Sequence, residues 1–102
     1  MDYKQLEILF KTLGDETRLR IVELLKGGEL CGCKILEHFD ITQPTLSYHM
    51  KLLCESGLVR GVRNGAWMRY TLNCAMFKHA ETYFRNCNEA AKSAYDSCDC
   101  EV

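Results

Sequence analysis

Leu30-Cys31-Gly32-Cys33 puts two thiols one residue apart. Thiolates are soft ligands, and a pair this close along the chain suits a thiophilic ion. Seven cysteines stand in the 102 residues, at positions 31, 33, 54, 74, 87, 98 and 100. An odd count, with no apolar run behind a basic start in MDYKQLEILFK, does not read as a secreted disulfide framework. The expectation is a set of free thiols in a reducing, cytoplasmic setting. Cys98 and Cys100 repeat the Cys-x-Cys spacing and join Cys31 and Cys33 as candidate metal ligands. Cys54, Cys74 and Cys87 read as small packing residues. Catalysis by a nucleophilic cysteine needs a base held by a third group. No such arrangement can be picked from three histidines (38, 49 and 79), so the reading is not an enzyme.

The elements that must position these thiols are mostly helical. Leu6, Leu9, Phe10 and Leu13 recur at helical spacing, and Gly14 ends that run. Asp15 is placed to cap a second helix over Glu16 to Lys26, stopped by Gly27-Gly28. A third helix is expected from Cys31 to Phe39, burying Ile35, Leu36 and Phe39. After Asp40-Ile41-Thr42, Thr42 caps a fourth helix with Pro44 in its first turn, where the missing N–H costs nothing. Leu46, Met50 and Leu53 share its inner face. Its outer face carries Pro44, Ser47, Tyr48 and Lys51, with Gln43 and Thr45 at the edges.

Past Ser56-Gly57 the period changes. LVRGVR and AWMRYTL flank Asn64-Gly65, a strong hairpin signal. A turn centred there would pair Arg63 with Ala66, Val62 with Trp67 and Arg60 with Arg69. A last helix follows from Asn73, with Phe77, Ala80, Phe84, Cys87 and Ala91 on one stripe. The expected fold is mainly α with a β-hairpin wing, a winged helix-turn-helix of four helices, hairpin and fifth helix. Residues 1–96 would form one DNA-binding and dimerisation domain, and residues 97–102 a flexible cysteine-containing tail. No stretch is long and apolar enough to span a membrane.

A net charge of −1 speaks against a nucleic-acid partner until it is divided along the chain. Residues 42–72 hold four basic residues, Lys51, Arg60, Arg63 and Arg69, against Glu55 alone. The segments on either side each carry a net −2. The local field decides where a phosphate backbone docks, so the positive segment is the candidate reading head. Gln43, Thr45, Ser47 and Tyr48 offer hydrogen-bonding side chains to a major groove. Arg63 lies beside the turn, within reach of a phosphate or a minor groove.

LGDETRLRIVELL, then ELCGCKILEHF, then ITQPTLSYHMKLLCESGLVRGVRNGAWMRYTL together resemble the ArsR family of metal- and metalloid-responsive repressors. The resemblance runs from about Leu6 to Leu72, and TQPTLSYHMKLL followed by SGLV is its most specific part. It implies a homodimer joined through the first and last helices, bound to palindromic operator DNA and released by an inducer. The apolar stripes of those two helices, larger than a four-helix core needs, point to the same dimer. His49, on the border of the buried face, matches a position that packs in this family.

The resemblance also makes ELCxC an arsenic and antimony site, with As(III) or Sb(III) as inducer in a three-coordinate pyramid of thiolates. A third cysteine is expected three residues after Cys33, but position 36 is Leu36. The missing ligand would come from Cys98 or Cys100, from a small thiol, or not exist, in which case a methylated arsenical becomes attractive. In a regular helix, residues i and i+2 point about 200° apart, so one ion would take both sulfurs only if that turn unwound. Gly32 would ease the unwinding. Two other readings stay open. A disulfide between this pair and a tail thiol would make a redox or persulfide switch. Another thiophilic metal, cadmium, lead or zinc, would be sensed differently, and His79 with Glu81 does not match a zinc-sensing relative's last helix.

Overall fold

The computed structural model of the chain describes residues 3–97, with the side chains of 95–97 left aside. In order they form α1 (Tyr3–Leu13), α2 (Glu16–Leu25), β1 (Leu30–Cys31), α3 (Gly32–Leu36), α4 (Gln43–Glu55), β2 (Val59–Asn64), β3 (Trp67–Leu72) and α5 (Cys74–Ser97). The expected winged helix-turn-helix is present, with one strand more in its sheet.

The helix starts follow side-chain capping. Asp15 accepts the Arg18 N–H at 3.0 Å, and Thr42 Oγ1 accepts the Thr45 N–H at 3.3 Å. Each cap removes one of the four unpaired donors at a helix start, worth about 1 kcal/mol. One core joins the elements: Leu9 from α1, Ile21, Val22 and Leu25 from α2, Ile35 from α3, and Leu46, Met50 and Leu53 from α4. Leu58 and Val59 close it where the wing begins. Burying each such aliphatic side chain contributes about 1.5–3 kcal/mol. Met76, Phe77 and Ala80 lay the first turns of α5 against this core. From 81 to 94 every residue of α5 is exposed.

Four features of the backbone differ from the sequence expectation, each for a physical reason. The expected helix over 31–39 is shorter, Gly32–Leu36, because Leu30 and Cys31 are extended and pair with Tyr70 and Arg69 of β3. The sheet is therefore three antiparallel strands in the order β1-β3-β2. A two-residue strand leaves no alternation to read in a sequence. The link between α3 and α4 is correspondingly longer than three residues, running over 37–42.

The hairpin register also moves. Asn64 pairs with Trp67, Arg63 with Met68, Val62 with Arg69 and Arg60 with Thr71. The turn is thus Gly65-Ala66, with Gly65 at φ +67 and no positive φ at any described non-glycine residue. Glycine first with positive φ, followed by a residue without it, is the pattern of a type II′ turn and frees Asn64 to stay in the strand. This register keeps the same faces inward but does not set Arg60 opposite Arg69. It sets Val59 against Leu72 and brings Gly61 opposite Tyr70, whose ring would lie 3.0 Å from a Cβ at position 61.

Candidate functional site

The reading head is assembled from α4 and the wing. Gln43, Thr45, Ser47, Tyr48 and Lys51 are all exposed on α4, and Arg60, Arg63 and Arg69 are exposed on the hairpin. Thr45 Oγ1 accepts a hydrogen bond from the Thr42 hydroxyl at 3.0 Å, which orients it at the start of the helix. Gln43, Ser47 and Arg63 line one cleft of about 390 Å³ between α4 and the wing. Lys51 lies 4.0 Å from Glu55, an exposed pair too weak to hold it away from a phosphate.

The back of α4 is tied to α2 through His49. Its side chain is 13% exposed, and its Nδ1 lies 3.1 Å from Arg18 Nη1 and 3.9 Å from Asp15 Oδ2. Arg18 also donates from Nε to the Thr12 carbonyl at 2.6 Å. His49 thus sits where it ties the reading helix to the body, away from the thiols. Nothing in the sequence singled out Arg18 as its partner, because the two are 31 residues apart.

The thiol pair lies at the junction of β1 and α3. Cys31 is the residue before the helix, in extended conformation (φ −80, ψ 157), and Cys33 is in its first turn. Their Sγ atoms are 2.7 Å apart. The 200° divergence expected of a regular helix does not arise, since Cys31 is not helical, and both sulfurs face one point without any unwinding. Two convergent thiols are the donor set that a thiophilic ion takes. Leu36 packs against the core, and among the described residues no group of three or more Cys, His, Asp or Glu is placed to hold a metal. Cys98 and Cys100 lie outside the described residues.

The two thiols are unlike. Cys31 is held below its ordinary pKa of 9.0, first by the hydrogen bond with the Cys33 thiol, then by the Lys34 N–H, with a smaller contribution from the Arg69 charge. Cys33 is raised, first by that same hydrogen bond to Cys31. The pair therefore deprotonates at Cys31 first, with Cys33 donating its proton across the contact. Alkylation with iodoacetamide, followed peptide by peptide, is expected to label Cys31 ahead of Cys33, with its pH midpoint below 9.0. Equal rates, or Cys33 first, would contradict this arrangement.

Arg69 belongs to this corner as much as to the wing. It is the strand partner of Cys31, and its Nη1 lies 3.4 Å from Glu29 Oε1. The cleft is shared too: Gly32 and Cys33 line its inner end, and Gln43, Ser47 and Arg63 its outer walls. The remaining cysteines divide differently from the expectation. Cys54 is half-buried beside the core, and burial pushes its thiol up. Cys74, the first residue of α5, and Cys87, beyond the turns that meet the core, are both exposed rather than packed.

Comparison with known proteins agrees with this architecture. Residues 15–60 match the family model described as bacterial regulatory protein, arsR family. The arsenical resistance operon repressor of Staphylococcus xylosus is 51% identical over 73 residues, which cover 72% of this chain and 70% of that protein. The repressor of the same description from Staphylococcus aureus is 49% identical over 76 residues, 74% of this chain and 73% of its own. A crystal structure of an ArsR family transcriptional regulator superposes with a TM-score of 0.86 over 91% of this chain and 96% of the other, at 24% identity. No helix among the described residues is long and apolar enough to cross a membrane. With the fold, the segment and relatives of this likeness in agreement, the chain belongs to the arsR family of bacterial regulatory proteins and is a DNA-binding winged helix-turn-helix repressor, not an enzyme.

Proposed function

We propose that this repressor is a homodimer on a palindromic operator and lets go of it when Cys31 and Cys33 take trivalent arsenic or antimony. The observation that carries the reading is the 2.7 Å convergence of a half-buried and an exposed thiol at the root of the wing. It is supported by relatives named as arsenical resistance operon repressors. A thiolate pair at this place acts on the DNA-reading surface by a short route. Cys31 is paired to Arg69 of β3, and Cys33 shares a cleft with Gln43, Ser47 and Arg63. An ion bound to both sulfurs has to spread them beyond their 2.7 Å separation, which loads the β1–β3 pairing and so the wing.

In this reading Gln43, Thr45, Ser47 and Tyr48 reach base edges, while Lys51, Arg60, Arg63 and Arg69 meet phosphates. The dimer forms through α1 and α5, the protein works in the cytoplasm, and Cys98 and Cys100 in the segment 97–102 are not required for release. Arg63→Ala is expected to weaken operator binding and to make its salt dependence shallower by about one phosphate contact. An unchanged salt slope would remove Arg63 from the interface.

One gel-shift series decides between inducers. Under reducing conditions, arsenite and antimonite should release the operator, while cadmium, zinc and peroxide should not. The depressed Cys31 thiol also suits a redox or persulfide switch. Release by an oxidant with no metalloid present would establish that reading instead.

A further inference from the structure

Arsenic(III) makes three bonds, and the described residues bring two thiols together, not three. We infer that the inducer this site is built for is a monosubstituted organic arsenic(III), R–As, whose carbon substituent lies in the cleft between α4 and the wing. The inference rests on the thiol-sensing reading above and names its ligand class.

Three observations place the substituent. The cleft begins at Cys33 itself, so the third valence of an arsenic on that sulfur has this space beside it. At about 390 Å³ it lies in the range of small-molecule sites and holds a methyl or phenyl group with room to spare. One wall offers hydrocarbon from Leu36, Trp67, Met68 and Tyr70, with Leu46 and Met50 beneath it, while Gln43, Ser47 and Arg63 make the outer rim polar. Leu36 stands one helical turn beyond Cys33 and also lines the cleft, so that wall offers a methyl-bearing side chain and no ligand. A carbon substituent gains from leaving water against the hydrocarbon wall next to Cys33, a gain that the hydroxyl retained by inorganic arsenic on two thiols lacks.

The reaction balances without an oxidant. R–As(OH)2 and two thiols give R–As(S-Cys)2 and two waters. Two As–O bonds break, two As–S bonds form, each thiol proton leaves with a hydroxide, and arsenic stays trivalent. The substituent then occupies the space between Gln43 and Ser47 on one side and Arg63 on the other. Binding and release are thereby joined at one place, since the ligand occupies the cleft lined by the side chains that this reading assigns to DNA.

The test uses the full-length reduced protein on a fluorescent operator, titrated separately with phenylarsenic(III) oxide, methylarsenic(III) and arsenite. Bound arsenic is counted against the loss of titratable thiols. Phenylarsenic(III) should release the operator at roughly 10- to 100-fold lower concentration than arsenite, beyond the preference a free dithiol shows in the same buffer, as expected for burying one ring. Two thiols should disappear per arsenic, and Cys98→Ser/Cys100→Ser should respond as the parent does. Trp67→Ala, which opens a wall of the cleft at an exposed position, should lose most of the phenyl preference and keep its arsenite response. Leu36→Cys should bring arsenite up to the potency of the organic arsenical. A phenyl preference no greater than that of the free dithiol, or one unchanged in Trp67→Ala, would overturn the inference and leave thiol sensing of inorganic arsenic standing. If no arsenical releases an operator that the protein binds well, the thiol-sensing reading itself fails.

Discussion

Cys31→Ser/Cys33→Ser is expected to bind the operator as the parent does and no longer to answer to arsenite. Operator affinity should stay within about twofold, because neither side chain belongs to the core and serine keeps the size and a hydrogen-bonding hydroxyl. The arsenite concentration for half-release should rise by more than the roughly 10- to 100-fold that loss of even an outer-sphere partner costs a metal site. The hydroxyls are hard, protonated and poor ligands for a soft ion. A titration followed by fluorescence anisotropy reads both quantities on one sample. Release of the double variant at the parent's arsenite concentration would move the inducer site elsewhere, with Cys98 and Cys100 the next thiols to replace. The single variants separate the two roles: Cys31→Ser removes the thiol that ionises first, and Cys33→Ser removes the one that stabilises it.

Phe84→Asp should leave the fold intact and take the proposed dimer apart. Phe10, Tyr83 and Phe84 form an edge-to-face cluster, with Phe10 at 5.7 Å from Tyr83 and 5.6 Å from Phe84. Phe84 is nevertheless 57% exposed, and Tyr3 at 87%, two helical turns before Phe10 on the same face, extends the patch along α1. Aromatic groups of this kind, gathered on the face shared by α1 and α5, are the usual anchors of a subunit interface. A carboxylate in their centre should cost at least about 2 kcal/mol of association, some 30-fold. Sedimentation should then show a monomer at concentrations where the parent is dimeric. Operator affinity should fall in step, since a monomer meets one half-site of a palindrome. The circular dichroism spectrum should not change, because Phe84 is exposed and is not part of the buried core. A Phe84→Asp protein that remains dimeric would place the interface on another face.

How far each feature was legible depends on the range of the interaction behind it. Asp15 and Thr42 were recognisable as caps because a cap bonds to a backbone group three residues away. Leu46, Met50 and Leu53 were recognisable as core because they repeat at the helical period and are buried together. The hairpin was recognisable from Asn64-Gly65, yet its register was not. A turn one residue later keeps every side chain on the same face, and the choice falls to cross-strand neighbours. Keeping Arg60 and Arg69 apart, and leaving Arg69 near Glu29, are such neighbour effects.

The sequence by itself determined the order of helices and wing, the positive segment between two acidic ones, and the presence of a two-thiol motif before the reading helix. Each of these is a matter of residue type and local spacing. Tertiary structure alone decided what the motif can do. Pairing of Leu30 and Cys31 with β3, about 40 residues away, holds Cys31 out of the helix. The same strand pairing turns a spacing that would part the sulfurs into one that joins them at 2.7 Å. It also sets Cys33 at the inner end of a cleft whose outer walls are the reading helix and the wing. Sequence period registers what lies three or four residues apart, and strand pairing across the domain leaves no trace in it.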